Sequence, residues 1–178
     1  PLPAAREDVI AAYEAHVARH PPPVALCGDS AGGCLALLLA RHIRDARLPA
    51  PAALGLIAPL GDLSGDITER FARAGDEMLI PREWAERIRA VALPGVDPER
   101  PDISPLKGDL GGLPPAFIQA GAEEALAEDA IRLAAAMDDA TLDLWPGLPH
   151  VWQIHAGRSA AADRAIARMA AFLTARAP

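Results

Sequence analysis

The 178 residues contain no lysine- or arginine-rich run, no apolar stretch near bilayer length and no cluster of cysteines. Each absence excludes a class of protein. With a net charge of −7 and an isoelectric point near 5.2, a phosphate-binding surface is not expected, and nucleic acid is excluded as a partner. Crossing a bilayer takes roughly 20 consecutive apolar residues. The strongest candidate, CLALLLA at 34–40, fits a buried helix instead, so no membrane partner is expected. Signal-peptide features are missing at the N-terminus, which reads as a cytoplasmic location. Cys27 and Cys34 both lie in apolar surroundings and read as reduced core thiols, because a disulfide framework needs more cysteines in a shorter chain. No Cys/His group has zinc spacing, and neither metal nor cofactor is expected. Of the 17 basic residues only Lys107 is a lysine, which reads as genome base composition rather than mechanism. Repeats, low-complexity linkers and internal boundaries are missing too, and the length suits one domain over 1–178.

The chain instead alternates short apolar runs with longer helical ones. Val9, Ile10, Tyr13 and Val17 recur at helical spacing over 5–20, ahead of a Pro-Pro-Pro break. Residues 31–46 form a helix apolar on nearly every side, hence buried. The segment 62–95 reads as an irregular stretch followed by a helix starting near Pro81, where proline suits the first turn. Further helices are expected over 128–138 and over 159–176, the latter capped by Ser159. Strands are expected over 23–27, 53–60, 114–121 and 141–147. Strand–helix alternation predicts an α/β fold of about four parallel strands with helices on both faces. The last strand alternates in polarity, which suits an edge.

One seam in this pattern carries chemistry. Gly28-Asp29-Ser30-Ala31-Gly32, followed by Gly33, joins the first strand to the second helix. A G-x-S-x-G at such a junction is the nucleophile-elbow pattern: small residues permit a tight turn that exposes the serine hydroxyl. The helix that starts beyond Ser30 aims free N–H groups at the same spot, so Ala31 N–H is a candidate oxyanion donor. Of the 5 histidines, His150 follows a strand end in a Pro/Gly loop, where catalytic groups of open α/β sheets sit. His155 is its nearest rival. An acid is expected after the third strand, where Glu123 and Glu124 are adjacent; spacing alone does not separate them. Glu128 and Asp129 read as charges favouring a helix N-terminus.

These motifs resemble the bacterial hormone-sensitive-lipase family of α/β-hydrolases, in particular its short-chain carboxylesterase and monoterpene ε-lactone hydrolase-like members. GDSAGG, APLGDLSGD, the block DISPLKGDLGGLPPAFIQAGAEEALAEDAIRLAAAM and the loop LWPGLPHVWQ carry the likeness along essentially the whole chain. The resemblance implies a Ser30–His150 pair with Glu123 as the acid, where the family usually has aspartate followed by glutamate. It implies hydrolysis of short-chain acyl esters or lactones through an acyl-enzyme, and a homodimer paired through the 141–145 edge strand. Ala58 stands where the family commonly has serine. The family's HGGG oxyanion motif is absent, and four strands stand against the family's about eight. That departure leads us to expect an N-terminally incomplete enzyme with an unpaired edge at its first strand. It also motivates a second reading, a truncated or degenerate, catalytically silent hydrolase scaffold. GDS opens SGNH lipases as well, but their downstream G-x-N-D and D-x-x-H are not present.

Overall fold

The computed structural model describes residues 1–22, 25–64, 69–70, 74 and 82–176. Among these, four strands form one parallel sheet in the order β1 (Ala25–Asp29), β2 (Ala53–Ile57), β3 (Ala116–Gly121), β4 (Ala140–Trp145). The helices are α1 (Leu2–Val17), α2 (Ala31–Asp45), α3 (Arg82–Ala92), α4 (Ala127–Ala136) and α5 (Ala160–Thr174). Pro23, Val24, Pro81 and most of 65–80, on which the expected first strand start and helix start fall, lie outside the described residues.

Side-chain alternation decides what covers each face of the sheet. Leu54, Leu56, Ala116, Ile118 and Ala120 meet Ala36, Leu37 and Ala40 of α2 and Ala130 and Leu133 of α4 in one core. The residues between them turn to the opposite face, where α5 lies. There Phe117 stacks on Phe172 with centroids 5.1 Å apart, and Gln119 Nε2 donates to Ala165 O at 2.9 Å. Expected helices on both faces of a parallel sheet are therefore observed.

Helix α2 is apolar all round because it has three neighbours. Beyond the sheet, its Cys34 and Leu38 pack with Leu2, Leu63, Leu93 and Ile103. Its Leu39 and Ile43 pack with Tyr13 of α1. The β3 strand, flanked on both sides, is buried at every position. By contrast β4 is an edge, as expected, but its burial does not follow the alternating sequence pattern: Asp143 is buried and Leu144 exposed. The outer edge of β1 also has no strand beside it in this order.

The two thiols part company. Cys34 is fully buried, but Cys27 on β1 is exposed, which corrects the expectation of two core cysteines: β1 is an edge strand and covers the residue only in part, enough for burial to push its thiol up. Burial and the nearby Asp129 charge push the Cys34 thiol up to about 12. Since only thiolate attacks an alkylating reagent, iodoacetamide on the native protein is expected to modify one cysteine, Cys27, by peptide mapping. Both should react in denaturant.

Candidate active site

The elbow begins where β1 stops. Asp29 ends the strand, Ala31 begins α2, and Ser30 between them takes φ 51° and ψ −117°. A non-glycine residue in such a sparsely populated region costs on the order of 1–3 kcal/mol and persists only where neighbours enforce it. Backbone bonds do so here. Ser30 N–H donates to Ile57 O at 2.9 Å, and Ser30 O accepts from Leu60 N–H at 3.0 Å and Cys34 N–H at 3.3 Å.

The three motif glycines differ in what they permit. A Cβ on Gly28 would lie 2.3 Å from Gly32 O, and one on Gly33 would lie 2.8 Å from Pro59 Cβ. A Cβ on Gly32 would meet nothing within 4 Å among the described residues. Ala31, as the first residue of α2, has an N–H that no intrahelical carbonyl can satisfy, directed with the positive end of the helix dipole toward the elbow. Asp29 is exposed and makes no hydrogen bond among the described residues.

The acid and the histidine come from the next two strand ends. His150 lies beyond β4, 2% exposed, with Nδ1 3.4 Å from Glu124 Oε1. Glu124 is buried, and its Oε2 has no hydrogen-bond partner among the described residues. Glu123, on which the expected acid fell, is exposed and does not meet His150; its Oε2 accepts from Gly147 N–H at 2.9 Å. Both side chains reach the loop after β4, but Glu123 meets Gly147 N–H there and Glu124 meets His150. The other histidines lie elsewhere: His42 Nε2 sits 3.0 Å from Glu14 Oε1, His16 stacks on His20, and His155 is exposed at the end of a 3₁₀ turn. Ser30 Oγ carries no hydrogen bond among the described residues. Catalytic hydrogen bonds often tighten only with substrate in place.

A buried polar relay supports the histidine loop from below. Gln153 Nε2 donates to Gln119 Oε1 at 3.3 Å, and Gln119 Nε2 to Asp143 Oδ2 at 3.0 Å. Arg168 grips both Asp143 oxygens, and Trp145 Nε1 donates to Oδ2. Burial works against the Asp143 charge, but hydrogen bonds from Trp145, Gln119 and Arg168 outweigh it and hold the carboxyl below its ordinary range. A cavity of about 240 Å³ opens beside the acid turn, lined by Arg70, Ala122, Glu123, Glu124, Glu128 and Ile131 among others. Neither Ser30 nor His150 lines it, so we do not assign it to an acyl group.

A serine at a strained strand–helix junction, with a histidine and a carboxylate at later strand ends, is an α/β-hydrolase arrangement. The family described as alpha/beta hydrolase fold matches the chain over residues 1–154. The chain belongs to that family. An acetyl-hydrolase of Streptomyces hygroscopicus is 40% identical over 179 residues, covering 97% of this α/β-hydrolase chain and 60% of the relative. An esterase structure from the bacterial hormone-sensitive lipase family superposes with a TM-score of 0.90 at 36% identity, over 99% of this chain and 61% of that one. A hormone-sensitive lipase from a metagenome library gives 0.89 at 32% identity, over 99% and 63%. The expected likeness to the bacterial hormone-sensitive-lipase branch is thus borne out. The chain spans about 60% of the length of the curated relative.

Two residues of this α/β-hydrolase chain escape a motif reading. A Cβ on Gly121 would lie 2.1 Å from Leu148 O, so its bareness lets the histidine loop settle on the end of β3. Asp129, besides sitting in the first turn of α4, is fully buried and bonded to the loop after β2. A signal existed for the second. Asp129 stands four residues before the buried Leu133, on the apolar stripe of its helix.

Proposed function

We propose that the chain carries the reaction centre of a serine carboxylester hydrolase acting on short-chain acyl esters or lactones. Ser30 Oγ attacks the acyl carbon as His150 takes its proton. The same proton then goes to the departing alcohol oxygen, leaving an acyl-enzyme. Water, deprotonated by His150, attacks that ester, and the proton returns to Ser30 as the acid leaves. Glu124 rather than Glu123 orients His150 and balances its positive charge. Ala31 N–H donates to the oxyanion, a contact of a kind worth about 10²–10³ in turnover.

The observation that carries this reading is the buried His150–Glu124 pair on the strand-end side where the strained Ser30 lies. The printed name of the S. hygroscopicus relative, acetyl-hydrolase, supports a short acyl group. Pairing of two copies through β4 belongs to the same proposal, since β4 is an edge.

Ser30 Oγ, which makes no hydrogen bond among the described residues, favours a second reading, a catalytically silent scaffold. A fluorophosphonate probe separates the two. The proposal expects labelling in the wild type and none in Ser30→Ala, with p-nitrophenyl butyrate turnover lost in step. Equal labelling of both proteins, or of neither, would overturn it in favour of the silent scaffold.

A further inference from the structure

We propose that Asp129 is a positioning residue for Ser30, acting through the loop that follows β2. The inference rests on the reading of Ser30 as nucleophile.

An acidic residue in the first turn of a helix ordinarily needs only the N–H groups of its own helix. Asp129 instead reaches 68 and 67 residues back along the chain. Its Oδ2 accepts from Gly61 N–H at 2.9 Å and from Asp62 N–H at 3.1 Å. Arg70 Nη1 sits 2.7 Å from Oδ1 and 2.8 Å from Oδ2, and Nη2 donates to Asp62 O. The carboxylate has no solvent exposure, so no water can replace these partners from outside.

The residue just before those two N–H groups is Leu60, whose own N–H donates to Ser30 O at 3.0 Å. One residue further back, Pro59 packs so closely on Gly33 that a Cβ there would sit 2.9 Å from Pro59 Cα. Ala58, itself at φ 44°, donates its N–H to Gln119 O at 2.6 Å. Residues 58–62 therefore form a strap. It is tied to β3 at one end and to Asp129 at the other, and it grips the nucleophile's carbonyl between them. The APLGDLSGD motif, which the proposed reaction does not use, has its job here. Asp62 secures the loop beyond the strap, its Oδ1 accepting from Ser64 N–H at 2.9 Å and Ser64 Oγ at 2.6 Å.

The test compares two double variants of the intact protein that differ only in an acceptor, Arg70→Met/Asp129→Leu and Arg70→Met/Asp129→Asn. Replacing a buried ion pair by apolar groups of similar volume commonly preserves folding, and the asparagine oxygen can take the place of Oδ2. For each protein, the fluorophosphonate-labelled fraction at completion counts intact sites, and the labelling rate per site reports the poise of Ser30. In the leucine variant we expect an undiminished labelled fraction and a rate per site about 10- to 100-fold lower, the scale of a small misplacement. The p-nitrophenyl butyrate kcat should fall equally and KM should hold. The asparagine variant should recover most of that rate. A purely structural role would reduce the labelled fraction and leave the rate per site at the wild-type value; that result overturns the proposal, as does an asparagine variant as slow as the leucine one. Wild-type protein that fails to label at Ser30 would defeat the esterase reading as well, whereas wild-type labelling with an unslowed leucine variant defeats this inference alone.

Discussion

Glu124→Gln is expected to lower p-nitrophenyl butyrate kcat by about 10⁴-fold while the protein stays folded. Glu124 Oε1 is 3.4 Å from His150 Nδ1, and a carboxylate there, which can only accept, favours the tautomer with its hydrogen on Nδ1. A glutamine can present its NH₂ group to Nδ1, which selects the tautomer that cannot take a proton from Ser30. It also removes the negative charge beside an imidazolium formed in a 2% exposed site, where unbalanced charge is expensive. Glu123→Gln supplies the contrast. Its side chain is exposed and only accepts from Gly147 N–H at 2.9 Å, and a glutamine oxygen accepts that bond equally well. Its kcat should therefore remain within a few-fold of wild type, on the scale of a surface change. Steady-state kinetics on both variants, with thermal melts to establish folding, check the pair. An active Glu124→Gln alongside a dead Glu123→Gln would reverse the assignment.

The same pair of residues marks where sequence reasoning stops. Gly28, Ser30 and His150 were legible because their constraints are local: a tight turn, a helix start, a strand end. Which of Glu123 and Glu124 meets His150 is set by contacts with the loop after β4, Gly147 N–H taking Glu123 and His150 Nδ1 lying beside Glu124. Neither is a property of the acidic dipeptide. Asp129 is a stronger case, since its partners are 68 and 67 residues away and its helix-terminal position gave it a sufficient local explanation. Gln119 looked like an ordinary strand residue, yet it is the buried centre of the relay to Gln153 and Asp143. Cys27 shows the converse. Its apolar neighbours implied burial, and only the order of strands in the sheet exposes it. The fold itself was readable because alternation of strands and helices is a long, repeated signal, in which an error at one strand end does not change the topology.

Gly28→Ala is expected to disable the elbow, and Gly32→Ala to strengthen the protein. The two glycines flank Ser30 symmetrically in the motif, yet their surroundings differ completely. A methyl group at position 28 would lie 2.3 Å from Gly32 O, 2.4 Å from Gly32 C and 2.8 Å from Gly33 N. All three are backbone atoms of the first turn of α2, so no side-chain rotation relieves the contact. The turn cannot simply slide, because Ser30 is bonded to Ile57, Leu60 and Cys34 and Gly33 abuts Pro59. The added methyl should cost about 1–3 kcal/mol, as overpacking does, and relief requires the junction carrying Ser30 to open. A shift near 1 Å at a nucleophile costs about 10²-fold in rate, so labelling at Ser30 and ester turnover should fall together. At position 32 the methyl meets nothing within 4 Å among the described residues, and alanine is favoured over glycine in a helix by about 0.8–1.0 kcal/mol. A domain of this size should then melt some 2–4 °C higher. Melting curves for the two variants decide the matter. If Gly28→Ala melts and labels like wild type, the elbow is not held as tightly as its hydrogen bonds imply, and the strained Ser30 would need another explanation.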